Sequence, residues 1–562
     1  MSIINKLMYK TLLTIGIFVE KDFISQTKNP LKVNSNTLFR ILNHNSRTEI
    51  GRKYKFKEIN SIQDFKNSFP LTEYNFYDNY IAKMAAGEKD ILVKDELEYF
   101  CHTSGTTGKQ KLIPVTKKSR VTASKYMGIL LQKFAYNNFK ENWSYGKGLL
   151  ISDMVTTTYT SADIPICSAT SGGMKGIKHI FPYMYTSPIE IMYIKDKTTS
   201  LYLHLLFALK EKKLMYIGGV FISNILDLLR ELEKNSQDLM EDIKKGRVNK
   251  KLDIDEETRK NLNSYLSPNA SRSEDLEREF KKGFKGICKR VWPNLAYITC
   301  VTGATFSIYD EAVNFYTDNL PIYSPCLSAS EGTIGINRHA NEFKYIIIPD
   351  TVFYEFIDTE DSNKKNPKTF CINELKIGRN YEIVLTNYAG LYRYRLGDVI
   401  KVTNFYNSCP EVIFLYRKNQ VLNMASEKTT EDHITSAIKN TIKQFNVKLI
   451  DYTTLADNSN SPGKYIFYME FNKSISPDFL KKIQSTLDLE LQKSNIAYGR
   501  FRKNKRLDNL KIIPVSTNTF FKIKESLYKK GISKNQIKIP RVITNNKKIL
   551  SVINDNLLYK KK

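Results

Sequence analysis

The stretch His102–Thr116, HTSGTTGKQKLIPVT, constrains this chain more than any other. A packed strand or helix does not accommodate Thr-Ser-Gly-Thr-Thr-Gly, because glycine costs backbone entropy and hydroxyl side chains compete for backbone hydrogen bonds. A loop does. Glycines permit positive φ and close backbone approach, and consecutive free N–H groups form an anion-binding concavity. Ser104, Thr106 and Thr107 add hydroxyl donors, and Lys109 and Lys111 add positive charge. Such a loop suits the phosphates of a nucleotide. It is not a Walker loop, which needs four residues between its glycine and Gly-Lys-Ser/Thr. Here two residues separate Gly105 from Gly108, and Gln110 follows Lys109.

A chain of 562 residues predicts two domains, with three the next choice, and its 41% hydrophobic and 12% aromatic content fills cores rather than a disordered coil. Seven scattered cysteines contain no CxxC pair, which points to a reducing cytoplasm without a disulfide framework or zinc. The net charge of +28 raises nucleic-acid binding, but the lysines are spread in pairs. The densest runs, 502–506 and 560–562, lack interleaved aromatics, so no specific nucleic-acid partner is expected. Residues 7–18, LMYKTLLTIGIF, are too short in their apolar part to span a bilayer, and read as a helix packed on the main domain.

Along the chain, residues 30–92 read as mostly helical, with Ser35 capping a helix through LFRILNH. Residues 120–150 read as a helix and then a strand, 152–188 as loops that could help line an acid pocket, and 200–283 as helices broken near Gly246 and Pro268. VWPNLAYITCVTGATF ends a buried strand at Gly303. PIYSPCLSASEGTIGIN is β-rich. In LYRYRLGDVIKV an alternating strand reaches a turn at Gly397-Asp398. Thr430 caps a helix, and strands and helices alternate to the end, giving a small α+β domain.

The loop resembles the Ser/Thr-Ser-Gly-Thr-Thr-Gly-x-Pro-Lys phosphate loop of adenylate-forming enzymes, with Gln110 in place of the proline and Lys111 at the lysine. NPLKVNSNTLFRIL, TEIGRKYKF, FPLTEY and AAGEKDIL, together with WPNL, YRYRLGD, EKTTE and KIPR, resemble the Gretchen Hagen family of acyl acid amido synthetases, in its bacterial-type form. The resemblance runs from about residue 30 to about 543. It implies an α/β fold with a large N-terminal adenylate-forming domain, 1–425, and a smaller mobile C-terminal α+β domain, 426–562.

It also implies site residues. Thr103, Ser104, Gly105, Thr106, Thr107 and Gly108 would hold the phosphates of ATP, with Lys111. Gly303, Ala304, Ser330, Tyr392 and Arg417 would lie about the nucleotide. Asp398 would accept from the ribose hydroxyls, and Glu331 would hold Mg2+, a hard cation suited to a carboxylate plus phosphate oxygens. Lys428, near the hinge, and Lys538, in the C-terminal signature, would complete the catalytic set. Ser426 stands where the family has glycine. The implied reaction joins a small carboxylic acid, through acyl-AMP, to an amine, usually an amino acid. An acyl-CoA ligase and a non-catalytic nucleotide-binding relative remain as alternatives.

Overall fold

The structure is a computed structural model. It describes residues 3–558 except 103–110, 304–305, 307–308, 419–421, 423, 425–426, 428, 460–461, 529–536 and 544–545. A helical lead-in opens it, with helices Ile3–Lys28, Pro30–His44, Ile62–Ser68 and Asp78–Ala85 among others. The second helix starts five residues before Ser35. Pro30 takes its first position, where the missing N–H costs nothing and the fixed φ is already helical, so Ser35 lies inside the helix rather than at its cap.

Two sheets follow. Strands Leu97–His102 and Leu112–Thr116 form an antiparallel pair that joins Pro165–Cys167 and Thr156–Tyr159. Gly148–Ile151, Tyr216–Phe221, Tyr297–Val301 and Ile322–Tyr323 form a wholly parallel sheet. The strand at Tyr216 breaks the expected helical run. Its sequence, YIGGVF, is short and flanked by strong helix formers, and only burial between two neighbours makes it a strand. The 152–188 segment likewise holds two strands and the helices Ala169–Lys175 and Phe181–Met184, not loops alone.

Residues 326–417 build an eight-stranded antiparallel sheet. The strand Tyr394–Tyr406 runs straight through Gly397-Asp398, so the expected turn there is absent. Glu382 pairs with Val399 and Val384 with Arg395, which leaves three residues, Leu396–Asp398, opposite one. Gly397 takes φ +81° in this bulge. The chain is re-aimed without leaving the sheet, and Asp398 comes to face Arg417 on the next strand.

The C-terminal part carries strands Leu449–Asp457, Lys464–Phe471 and Lys511–Val515, with helices Glu431–Phe445 and Pro477–Ser494. Thr430 caps the first helix as expected, accepting from His433 N–H. Its own hydrophobic clusters hold it together, and Leu422 already belongs to the first of them. Two further clusters serve the larger part, one under the antiparallel sheet and the lead-in, the other between the parallel sheet and its helices. Among the described residues no helix is long and apolar enough to cross a membrane. All seven cysteines are free and buried.

Candidate active site

The two ends of the glycine-rich loop are fixed, since His102 and Leu112 face each other across the antiparallel pair. Thr103, Ser104, Gly105, Thr106, Thr107 and Gly108 lie outside the described residues, as do Ala304 and Lys428. Lys111 directly precedes the second strand. Its Nζ lies 3.3 Å from the Tyr394 hydroxyl, 5.3 Å from the Tyr74 ring centre and 5.9 Å from that of Tyr394. Burial lowers its pKa, and Arg417 adds to that, while Glu331 and Glu73 oppose it. Two aromatic faces therefore steady a partly desolvated ammonium.

Glu331 sits at the turn between strands Cys326–Ala329 and Gly332–Ile336 and is 9% exposed. Its carbonyl accepts from Asn387 Nδ2 at 2.8 Å. Asn387 Oδ1 in turn accepts from Ala389 and Leu391 N–H, so one side chain ties the Glu331 turn to the YRYRLGD segment. Burial raises the Glu331 carboxyl, Arg417 and Lys111 pull it down, and Asp398 pushes it up. Among the described residues it makes no ion pair. A buried carboxylate without a cation is costly, so this position is poised to accept one. Burial pushes the nearby Cys101 thiol up to about 12, and Ser330 works against that.

Arg417 donates from Nε to Asp398 Oδ1 at 2.5 Å and from Nη2 to Oδ2 at 3.0 Å. This two-pronged pair bridges the bulge to the last strand. Each Asp398 oxygen keeps a further lone-pair direction for a donor. Arg417 is held well above the usual guanidinium range, with Asp398 the leading cause.

The lead-in explains how the segment is seated. Thr72 N–H donates to Arg393 O, and Arg395 N–H donates to Thr72 O. Tyr77 Oη donates to Tyr392 O at 2.7 Å and accepts from Tyr392 N–H at 2.8 Å. Tyr392 itself is fully buried and gives its hydroxyl to Leu92 O, so of the two tyrosines Tyr394 is the one beside Lys111. Arg393, at φ +46°, spends its guanidinium on Glu355 and the carbonyls of Lys66 and Phe69. The alternating tyrosines and arginines are thus mostly a clasp between lead-in and sheet. Gly303 adopts φ +91°, and an added Cβ would lie 3.2 Å from the Phe343 ring. Three residues on, the Phe306 ring lies 5.0 Å from Lys538 Nζ, which also pairs with Glu431 at 3.5 Å.

Lys111, Glu331, Asp398, Arg417 and Tyr394 are therefore one cluster, and Lys538 faces the Gly303 segment from the other domain. Tyr74 and Asn387 belong to the cluster and carry no motif of their own. Tyr74 is legible only as the end of FPLTEY.

Comparison with known proteins bears on the chain as a whole. Residues 19–322 match the GH3 family N-terminal domain, 345–417 its central domain and 432–547 its C-terminal domain. The chain belongs to the GH3 family. It is 28% identical to indole-3-acetic acid-amido synthetase GH3.6 of Arabidopsis thaliana, over 92% of this chain and 89% of that protein. It is 30% identical to probable indole-3-acetic acid-amido synthetase GH3.11 of Oryza sativa subsp. japonica, over 92% of each. Against 4-substituted benzoates-glutamate ligase GH3.12 of Arabidopsis thaliana the figure is 28%, over 96% and 97%. The solved GH3.15 acyl acid amido synthetase superposes with a TM-score of 0.85 at 27% identity, covering 95% of each chain. A 2-hydroxyisobutyryl-CoA ligase in its postadenylation state shares the fold, at a TM-score of 0.51 and 12% identity. This GH3 chain is an adenylate-forming ligase of the acyl acid amido synthetase type.

Proposed function

We propose that the cluster about Lys111, Glu331 and Asp398 activates a small carboxylic acid with ATP and that the acyl group then passes to an amino acid. The carboxylate oxygen bonds to the α-phosphorus and pyrophosphate leaves. The amine nitrogen then bonds to the acyl carbon, AMP leaves and the nitrogen gives up a proton. The observation that carries this reading is Glu331, a buried carboxylate left without an ion pair beside Lys111 and Arg417.

Among the described residues no group of three or more His, Cys, Asp or Glu side chains could hold a metal. One carboxylate completed by phosphate oxygens is nevertheless how Mg2+ is commonly held, so Glu331 fits it. A bound Mg2+ would offset phosphate charge there. Lys111, steadied by Tyr74 and Tyr394, brings its ammonium to the phosphates that Thr103–Gly108 cradle. Asp398, oriented by Arg417, accepts from the ribose. Ser330, Gly303 and Ala304 flank the nucleotide, while Lys428 and Lys538 reach it from the C-terminal domain. Arg502 of the basic run is committed to Asp488 and Leu507 O. We read the chain as a bacterial-type member of the family and, from its seven free cysteines, as cytoplasmic.

The test is a panel of carboxylic acids screened for ATP-dependent pyrophosphate release, followed by mass spectrometry with an amino-acid panel. AMP and an acyl-amino acid are expected, with no acceleration of AMP release by coenzyme A. Acyl-CoA as the main product would overturn the amide step alone.

A further inference from the structure

We propose that the outer face of the N-terminal helix, Ile3–Lys28, docks on an anionic membrane surface. The helix is apolar on both sides. Its inner side buries Tyr9, Gly16 and Phe23 against Lys125–Leu130 and Leu131–Phe139. The Tyr9 ring meets Trp143 edge-on at 5.7 Å, and Gly16 sits where an added Cβ would lie 2.9 Å from Lys133 Cβ. That packing fixes which residues point away. They are Ile4, Leu7, Ile15 and Phe18, with Thr11 between them, and Leu7 and Phe18 are 64% and 68% exposed. The spacing 4, 7, 11, 15, 18 follows one face of a helix. At a rise of about 1.5 Å per residue it makes a stripe about 21 Å long. Ile3 and Ile17 widen it. Six of the nineteen large apolar side chains exposed among the described residues thus fall within sixteen consecutive positions. Scattered exposed apolar residues need no explanation, but a contiguous run does.

The charges beside the stripe choose what covers it. Lys6, Lys10 and Lys21 border one edge, and Lys10 and Lys21 make no ion pair among the described residues. The two acids of the helix are already used. Glu20 lies 3.5 Å from Lys133 Nζ, and Asp22 lies 2.7 Å from Lys125 Nζ. What the face presents to a partner is therefore apolar side chains and unopposed ammonium groups, on a chain of net charge +28. A second copy docked on this face would bring lysine to lysine. An anionic lipid surface takes the stripe into its headgroup–acyl boundary and the lysines against its phosphates and carboxylates. The inner face remains on the protein core, so this is docking on the surface and not insertion.

The full chain is mixed with phosphatidylcholine vesicles, with or without phosphatidylserine, and sedimented at low and at high salt. Wild type should pellet with the phosphatidylserine vesicles at low salt, and added salt should release it. Leu7→Glu with Phe18→Glu should abolish pelleting. Lys10→Glu and Lys21→Glu should each weaken it about fivefold or more, the factor for about 1 kcal/mol per lysine. All variants should keep wild-type circular dichroism, because none touches the packed face. Leu7→Ser with Phe18→Ser serves if the glutamates disturb folding. No pelleting of wild type would overturn the proposal. Equal pelleting with phosphatidylcholine alone would do so too. A dimer in sedimentation velocity that Leu7→Glu with Phe18→Glu dissolves, without vesicle binding, would assign the face to a second copy instead.

Discussion

Glu331 and Asp227 are both carboxylates drawn away from water, and the fold treats them in opposite ways. Asp227 lies on the helix Ile222–Lys234, where the C-terminal domain meets the large one. Burial alone would raise its pKa, but Lys197 at 2.5 Å and Lys524 at 3.3 Å outweigh that and hold it well below the usual range. Glu331 is more deeply buried, makes no ion pair among the described residues and is pushed up. The seam between domains repeats the Asp227 pattern. Arg541, 2% exposed, donates to Asp451 and to Tyr309 Oη at 2.9 Å, and Tyr309 donates to Asp451 at 3.0 Å. Charges that hold the architecture are paired within the chain. The charge expected to do chemistry is left for a ligand to complete.

The largest effect should come from breaking the seam. Arg541→Ala leaves Asp451 buried without its cation and should cost about 3–5 kcal/mol, the range for removing one partner of a buried pair. Urea unfolding followed by tyrosine fluorescence should show the C-terminal domain melting earlier. If Arg541→Ala unfolds like wild type, the seam is not held by this triad.

Glu331→Gln should reverse the sign. Removing one preorganised charge of the site should slow acid-dependent pyrophosphate exchange on the order of 10²–10³-fold. Yet the ligand-free protein should become more heat-stable at neutral pH. A carboxyl whose folded pKa is raised contributes stability below its unfolded value, near 4.5, and loses it as pH rises through the folded value. The gain from glutamine should therefore fade in acid. Asp227→Asn should do the opposite, since a depressed carboxyl stabilises above its unfolded value, near 3.8, and loses that only as pH falls below it. Thermal melts across pH would separate the two. A Glu331→Gln protein less stable than wild type at neutral pH would end the contrast.

This contrast also explains what could be read from the residues alone. Lys111, Glu331 and Asp398 stand in motifs, and the structure brings them together with Arg417. Their relations do not stand in any motif. Asp398 and Arg417 meet because a bulge at Gly397 shifts the register of two long strands, whereas the sequence pattern there suggests a turn. Arg541 reads as part of a signature, but its partners Asp451 and Tyr309 lie 90 and 232 positions away. The strand at Tyr216 is visible only through its neighbours, and Ser35 failed as a cap because Pro30 starts the helix earlier. Local chemistry is written locally, and pairing across the fold is not.

Asp398→Asn should have the next effect. The amide keeps the shape but loses charge at both the Arg417 pair and the ribose site. One or two charge-assisted hydrogen bonds, roughly 1.5–3 kcal/mol each, should be lost from ATP affinity. Direct titration of ATP measures it, and a cycle with Arg417→Lys tests whether the arginine acts through Asp398. Additive losses would mean that Arg417 contacts the nucleotide independently.

The smallest effect should come from Tyr74→Phe, and it sharpens the comparison within the site itself. Tyr74 Oη accepts from Leu112 N–H at 2.7 Å and donates to Leu112 O at 3.2 Å, clasping the residue after Lys111. Its ring separately offers a face to the lysine, 5.3 Å from Nζ. Phenylalanine removes the clasp and keeps the face. Stability should fall by about 1–3 kcal/mol for the two hydrogen bonds lost, and the ATP KM, which senses only part of that, should change by no more than about tenfold, or about 1.4 kcal/mol. Tyr74→Leu removes both. If the face matters, leucine should weaken ATP binding beyond phenylalanine by the worth of a partly exposed cation–aromatic contact, about 0.5–1 kcal/mol. Equal KM values for the two variants would mean that Lys111 is held by the backbone of its strand alone, and that Tyr74 belongs with the paired, architectural groups rather than with the site.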